Sequence, residues 1–261
     1  MALTYGTIWG DYGDEKVTST TADLGLILGT RMVLPDGRVF RYSFSNGAVG
    51  AGKGVQSSIA LANQDTDLAV NSAAAVGAKS VSITFGTSPN TDVVANQYAD
   101  GYLFVNDVDG EGHVYRIKSA DTTDAHVAAD VSASPEVDIN LMDGDGIATA
   151  LTTSSQVGLL ANPYKDVIIT PAGAQTARCV GYTAADVADN EYFWAQTWGE
   201  SALFADGTLV IFEPVRVSDG VAGAVENYAT ETGAEEQVVG FATNFLAATT
   251  EYQLVFLQIG P

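Results

Sequence analysis

Cysteine is all but missing from this chain. Cys179 stands alone among 261 residues, so no intrachain disulfide can form and stability has to come from packing or assembly. In "ARCVGY" the thiol reads as a small buried hydrophobe rather than a nucleophile. Histidine is nearly as scarce. His113 in "GEGHVYRIK" and His126 in "TTDAHVAAD" read as turn or surface residues. No H-E-x-x-H or C-x-x-C spacing occurs, so a zinc site would need almost every soft ligand available. There is no G-x-S-x-G elbow, phosphate loop or dinucleotide fingerprint; "GAVGAGKG" lacks the Ser or Thr that should follow its lysine. A non-enzymatic protein without a cofactor is the expectation.

Positive charge is the next shortage: 11 Lys and Arg face 32 Asp and Glu, for a net charge of −21. Binding nucleic acid requires cations to replace condensed counterions, and this field repels phosphate. Anionic membrane surfaces are disfavoured for the same reason. "MALTYGTIWGDYG" has no basic stretch followed by an apolar one, so no secretory signal is expected. No apolar run approaches the roughly 18 residues a membrane helix needs. Most of the cations lie in the first part of the chain, and none follows Arg216.

What is present suits a folded β protein. Hydrophobic residues make up 46% and charged residues 16%, enough for a core and against disorder. The 27 glycines among many Val and Thr fit short strands joined by tight turns. "RMVLPDGRVFRYSF" is a hairpin with Pro-Asp-Gly at its bend. "GAKSVSITFGT" alternates, with Val81, Ile83 and Phe85 on one face. "DGYLFVNDVDGEGHVYRIKS" reads as two strands around an acidic glycine turn, "VDINLMDGDGIATAL" repeats that design, and "SALFADGTLVIFEPVRV" is a further hairpin. "GVQSSIALANQDTDLAVNSAAAVGA" leaves room for a helical turn. A dozen or so strand candidates with no long amphipathic helix predict an all-β fold. The expected architecture is antiparallel β-sandwich or small β-barrel domains with an extended N-terminal arm. The arm is residues 1–30, a β-rich domain spans 31–165, and a second β domain spans 166–261, the break falling in the Pro-bearing "NPYKDVIITPAGAQTA".

The C-terminal part carries a faint repeat. "CVGYTAADVADNEYFWAQTWG" and "VVGFATNFLAATTEYQLVFLQIG" share Val-Gly-aromatic, a spacer, then Glu-Tyr before an apolar strand. In "EYFWAQTW", Phe193 alternates with Tyr192 and Trp194, and Trp198 follows. With both faces apolar, these four aromatics read as core or interface rather than a sugar cleft flanked by catalytic carboxylates. "NDVDGEG" and "DGDG" invite a calcium reading, but neither completes an oxygen-ligand loop and Asp-Gly is the ordinary turn signal.

Three segments, "LGTRMVLPDGRVFRYSFSNG", "NQYADGYLFVNDVDGEGHVYRIKS" and "NEYFWAQTWGESALF", together resemble structural proteins encoded in the head-gene regions of tailed bacteriophages, the capsid decoration or cement type. The likeness runs from about residue 25 to the C-terminus. It implies a β-rich protein on the outer surface of an icosahedral head, made in the host cytoplasm. The implied partners are the major capsid protein and further copies of itself, often as a trimer, with no catalytic role. No functional residue is carried over. From the residues themselves, Arg31, Arg38 and Arg41 beside Phe40 and Tyr42, with Trp9 of the arm, are capsid-docking candidates, because Arg and aromatics are favoured at interfaces. The alternative is a carbohydrate- or receptor-binding module displayed on the virion, which an exposed aromatic platform around Trp194 or Trp198 would mark. A polysaccharide hydrolase, which needs two facing carboxylates in a cleft, ranks behind both.

Overall fold

A computed structural model describes residues 6–23, 26–61, 64–85, 96–118, 136–228, 236–244 and 250–261. His126 lies outside them. The architecture is all-β, as expected: strands and turns, among them a 3₁₀ turn at Asp14–Lys16. In chain order the strands are β1 (Thr7–Trp9), β2 (Arg31–Val33), β3 (Val39–Phe44), β4 (Gly54–Gln56), β5 (Leu68–Val70), β6 (Ser80–Thr84), β7 (Tyr102–Asp107), β8 (Val114–Arg116), β9 (Glu136–Asn140) and β10 (Gln156–Leu160), followed by β11 (Ile168–Ile169), β12 (Cys179–Thr183), β13 (Tyr192–Phe204), β14 (Pro214–Val217), β15 (Val225–Asn227), β16 (Val238–Ala242) and β17 (Tyr252–Gln258).

The chain forms two compact units, divided otherwise than the expected 31–165 and 166–261. One unit joins Met1–Ile59 to Pro163–Pro261; the other is the intervening Ala60–Asn162. The break near 163 coincides with the Pro-bearing segment. The earlier break follows β4, in a run of Ser, Ala and Asn that carries no turn signal strong enough to mark it. The chain leaves the first unit after β4 and re-enters it at β11, which pairs antiparallel with β4 through Ile168–Gln56 and Ile169–Val55. The smaller unit is thus an insertion between two paired strands.

The inserted unit is a six-stranded sheet in the order β8-β7-β10-β5-β6-β9. The alternation in β6 works as read: Val81, Ile83 and Phe85 are buried, in one core with Leu103, Ile139 and Val157. "DGYLFVNDVDGEGHVYRIKS" makes the β7–β8 hairpin, pairing Tyr102 with Arg116. The helical turn allowed near residues 54–78 does not form among the described residues, where short strands β4 and β5 stand instead.

The other unit is an eleven-stranded sheet, β1-β2-β3-β13-β17-β16-β14-β15, with β12, β4 and β11 added beside β13. The Pro-Asp-Gly hairpin joins β2 to β3, closed by Leu34 N–H donating to the Arg38 carbonyl at 3.0 Å. The described part of the N-terminal 30 residues is held to this unit and includes the 3₁₀ turn at Asp14–Lys16. β1 pairs β2, the one parallel pairing between named strands, and Ser19 bridges Tyr192. "SALFADGTLVIFEPVRV" is not a hairpin. β14 lies between β15 and β16, because β17 already occupies the β13 edge that a hairpin would need.

The faint repeat becomes one motif used twice. β12 pairs antiparallel with β13 and β16 with β17. The shared glycines, Gly181 and Gly240, sit where the second strand presses closest. A Cβ on Gly181 would come within 2.9 Å of Ala195 Cβ, and one on Gly240 would run into the Phe256 carbonyl.

Candidate functional site

β13 is thirteen residues long, and its two halves do different work. The first half pairs with β3, and its alternation separates two cores. Phe193 and Ala195 pack with Val55 and Val180. Trp194 packs with Phe40 and Tyr42, and Tyr192 stacks on Tyr42 at 5.5 Å and tilts against Phe44 at 4.6 Å. Trp194 is only 7% exposed, so this stretch forms no platform.

The expected docking residues do not come together as a surface. Phe40 and Tyr42 are buried. The Asp23 N–H donates to the Tyr42 oxygen at 3.0 Å, and burial pushes the Tyr42 phenol up to about 12. Arg38 is bound by Asp36 at 2.7 Å and faces Glu15 at 3.6 Å. Arg41 donates to the carbonyls of Gly29 and Pro261. Arg31, half-buried, lies opposite Arg41 across β2 and β3. Of the set only Trp9, on edge strand β1, stands largely in solvent, at 79% exposure.

The second half of β13 builds a surface that was not anticipated. Along β13 and β17, Ser201, Leu203, Gln253, Val255 and Leu257 point inward and are buried. The alternate residues face outward. Register places Phe204 opposite Tyr252, Ala202 opposite Leu254, Glu200 opposite Phe256, and Phe241 of β16 also opposite Phe256. An antiparallel sheet with one wet face ordinarily alternates apolar-in with polar-out. Here the wet face is apolar too. Trp198 meets Phe256 edge-on at 5.5 Å, Phe204 meets Tyr252 at 5.5 Å, and the Lys53 ammonium sits 3.8 Å over the Phe204 ring. Tyr252, Leu254 and Phe241 are more than a third exposed. Trp198 alone of the four singled-out aromatics belongs to this face. The signal for the rest was in "EYQLVFLQ", where apolar residues occupy both parities and so read as buried on both sides.

Beside this face opens a groove of about 240 Å³, lined by Glu15, Lys16, Arg38, Gln196, Glu200 and Tyr252 among others. The Tyr252 hydroxyl donates to the Ala51 carbonyl at 3.1 Å, which fixes the ring as one wall. Gln196 is 2% exposed; its amide nitrogen is engaged by the carbonyls of Trp198, Gly199 and Glu200.

A buried ionic cluster also escaped sequence reading. Arg216, with no exposed side chain, lies between Glu226 and Glu236. Its approach to Glu226, 2.7 Å from Nη2 to Oε1, is an ion pair whose angles miss hydrogen-bond geometry. Burial raises the Glu226 carboxyl above its ordinary value, outweighing the opposing pull of Arg216, and Asp219 and Asp206 push it the same way as burial. Among the described residues, no three His, Cys, Asp or Glu side chains gather as a metal-ion set. The acidic turns engage protein groups: Asp109 accepts from Thr152, and Asp145 from the Arg116 and Gly146 amides. No helix among the described residues is long and apolar enough to cross a membrane. Comparison with protein-family models, curated proteins and solved structures gives no match for this chain.

Proposed function

We propose that this chain is a structural protein of a tailed-bacteriophage virion, without catalytic activity, which binds the outside of an icosahedral head. Its partner in this reading is the major capsid protein, and it associates with its own copies as a trimer. The observation that carries the reading is the aromatic outer face of β13, β16 and β17. Contiguous exposed apolar patches larger than a few hundred Å² are rare on monomeric proteins and mark contact sites. Interface cores are enriched in aromatic residues and poor in charge, and among the described residues Glu200 and Lys53 are charged groups at this face. Burial of the face on the shell adds binding free energy only in the assembled state, which raises the shell's resistance to rupture.

Sedimentation of purified protein with undecorated heads tests this. The unaltered chain is expected to pellet with heads, and Leu254→Asp or Phe241→Asp to lose at least about tenfold in affinity, the scale of 1.4 kcal/mol. Both positions face solvent, so circular dichroism should show the β fold retained. Failure of the unaltered chain to pellet, or undiminished pelleting of both folded variants, would refute the reading.

A further inference from the structure

We infer that the groove beside the aromatic face binds one unit of a neutral saccharide. The groove shares Tyr252 and Glu200 with that face and adds polar groups of its own.

Sugars present vicinal hydroxyls, each able to donate and accept, around a ring with apolar C–H faces. A site for them needs alternating donors and acceptors beside an immobile aromatic wall, and little net charge. The groove offers each of these. Tyr252 supplies the wall: half-exposed, held by its bond to Ala51 and backed by Phe204. The unengaged polar groups are of both kinds. Gln196 is almost wholly buried, yet no protein donor reaches its Oε1, and that oxygen is not among the sealed, unsatisfied atoms of the core. It therefore meets the groove as a fixed acceptor, oriented by the three carbonyls that hold its nitrogen. Lys16 is exposed and unpaired among the described residues, which makes it a donor. Glu200 gives one oxygen to Thr243 and keeps the other for a ligand.

Charge decides between ligand classes. Arg38 is shared by Asp36 and Glu15, and Lys16 faces the same groove as Glu200, so the groove holds no surplus of positive charge, while the chain at −21 repels anions from a distance. Acidic sugars, phosphosugars and nucleotides are disfavoured, and a neutral hexose or N-acetylhexosamine unit is favoured. At about 240 Å³ the groove is smaller than the roughly 300–1,000 Å³ of drug-sized pockets, which suits a single unit within a longer glycan whose neighbours lie outside.

A glycan array probed with the full chain, followed by saturation-transfer NMR with glucose, galactose, mannose and N-acetylglucosamine, tests the site. Binding of at least one neutral sugar is expected, weakened about tenfold or more by Tyr252→Ala and by the surface variant Lys16→Ala. Phe241→Asp, which strikes the docking face, should leave sugar binding unchanged. No neutral glycan bound, binding confined to acidic glycans, or neutral binding indifferent to both groove variants would each overturn the inference. Should Tyr252→Ala fail to fold, Lys16→Ala and Glu200→Gln, both on exposed side chains, decide the matter.

Discussion

Arg216 is the residue on which the least replaceable energy rests. A guanidinium with no exposed surface is tolerable only while its counter-charges stay in place, and Glu226 and Glu236 supply them. Removing one partner of a buried ion pair typically costs about 3–5 kcal/mol, because the other charge stays buried and unpaired. Arg216→Met is therefore expected to lower unfolding stability by about that amount in a denaturant titration. Joint replacement of Arg216, Glu226 and Glu236 by apolar residues should recover most of the loss. Glu226 adds a pH signature. Its carboxyl is raised by burial above 4.5, so the folded chain holds that proton more tightly than the unfolded one. Its contribution is complete below 4.5 and is lost as pH rises through the elevated folded value. Stability of the unaltered chain relative to Glu226→Gln should accordingly fall with rising pH across that window; a difference that is flat or rises would contradict the assignment. Cys179 behaves as the small apolar residue its neighbours announced. It is fully buried, and burial pushes its thiol up to about 12. A thiol reagent at pH near 8 should leave the native protein unlabelled and label one cysteine after unfolding.

Among the elements, the repeated strand–loop–strand shows what a linear reading can and cannot carry. Val-Gly-aromatic recurs because the middle position must let a second strand close in, and at Gly240 that approach is backbone on backbone. Gly240→Ala should wedge β16 away from β17 and cost about 1–3 kcal/mol, the range for overpacking. Thermal unfolding of that variant alongside Gly260→Ala, where a Cβ meets nothing, would separate the clash from the general effect of adding a methyl. Turn chemistry made the β2–β3 and β7–β8 hairpins legible, since Pro-Asp-Gly and the acidic glycine run act within a few residues of the strands they join. Pairing across long separations was not legible. Whether β14 follows β13 or joins β16 depends on who else claims the β13 edge, and that competitor, β17, arrives some fifty residues later. The candidate surfaces failed to show for the same reason. Tyr252, Leu254 and Phe256 differ from Val255 and Leu257 only in the side they face. The groove draws on the 3₁₀ turn, the residues before β4, and strands β12, β13 and β17, which no spacing in the sequence connects.

For the whole molecule the governing quantity is charge. A net −21 on 261 residues works against the compact state, which holds like charges closer than the unfolded chain does. Salt relieves this: the screening length shrinks from about 30 Å at 0.01 M to about 8 Å at 0.15 M. The buried Arg216 cluster is screened far less than surface charge, so its stabilisation survives over the same range. The melting temperature should therefore rise with sodium chloride from 0.01 to 0.15 M. Docking through the aromatic face should respond in the same direction. Apolar burial is indifferent to ionic strength at these levels, whereas repulsion between an acidic chain and its decorated neighbours weakens as salt is added. Attachment to heads should hold or strengthen across the range. Had the arginines of β2 and β3 carried the docking, attachment would fall steeply instead, as pairing of opposite charges does. A steep loss of head binding between 0.01 and 0.15 M would thus move the docking surface away from β13, β16 and β17 and back to Arg31 and its neighbours.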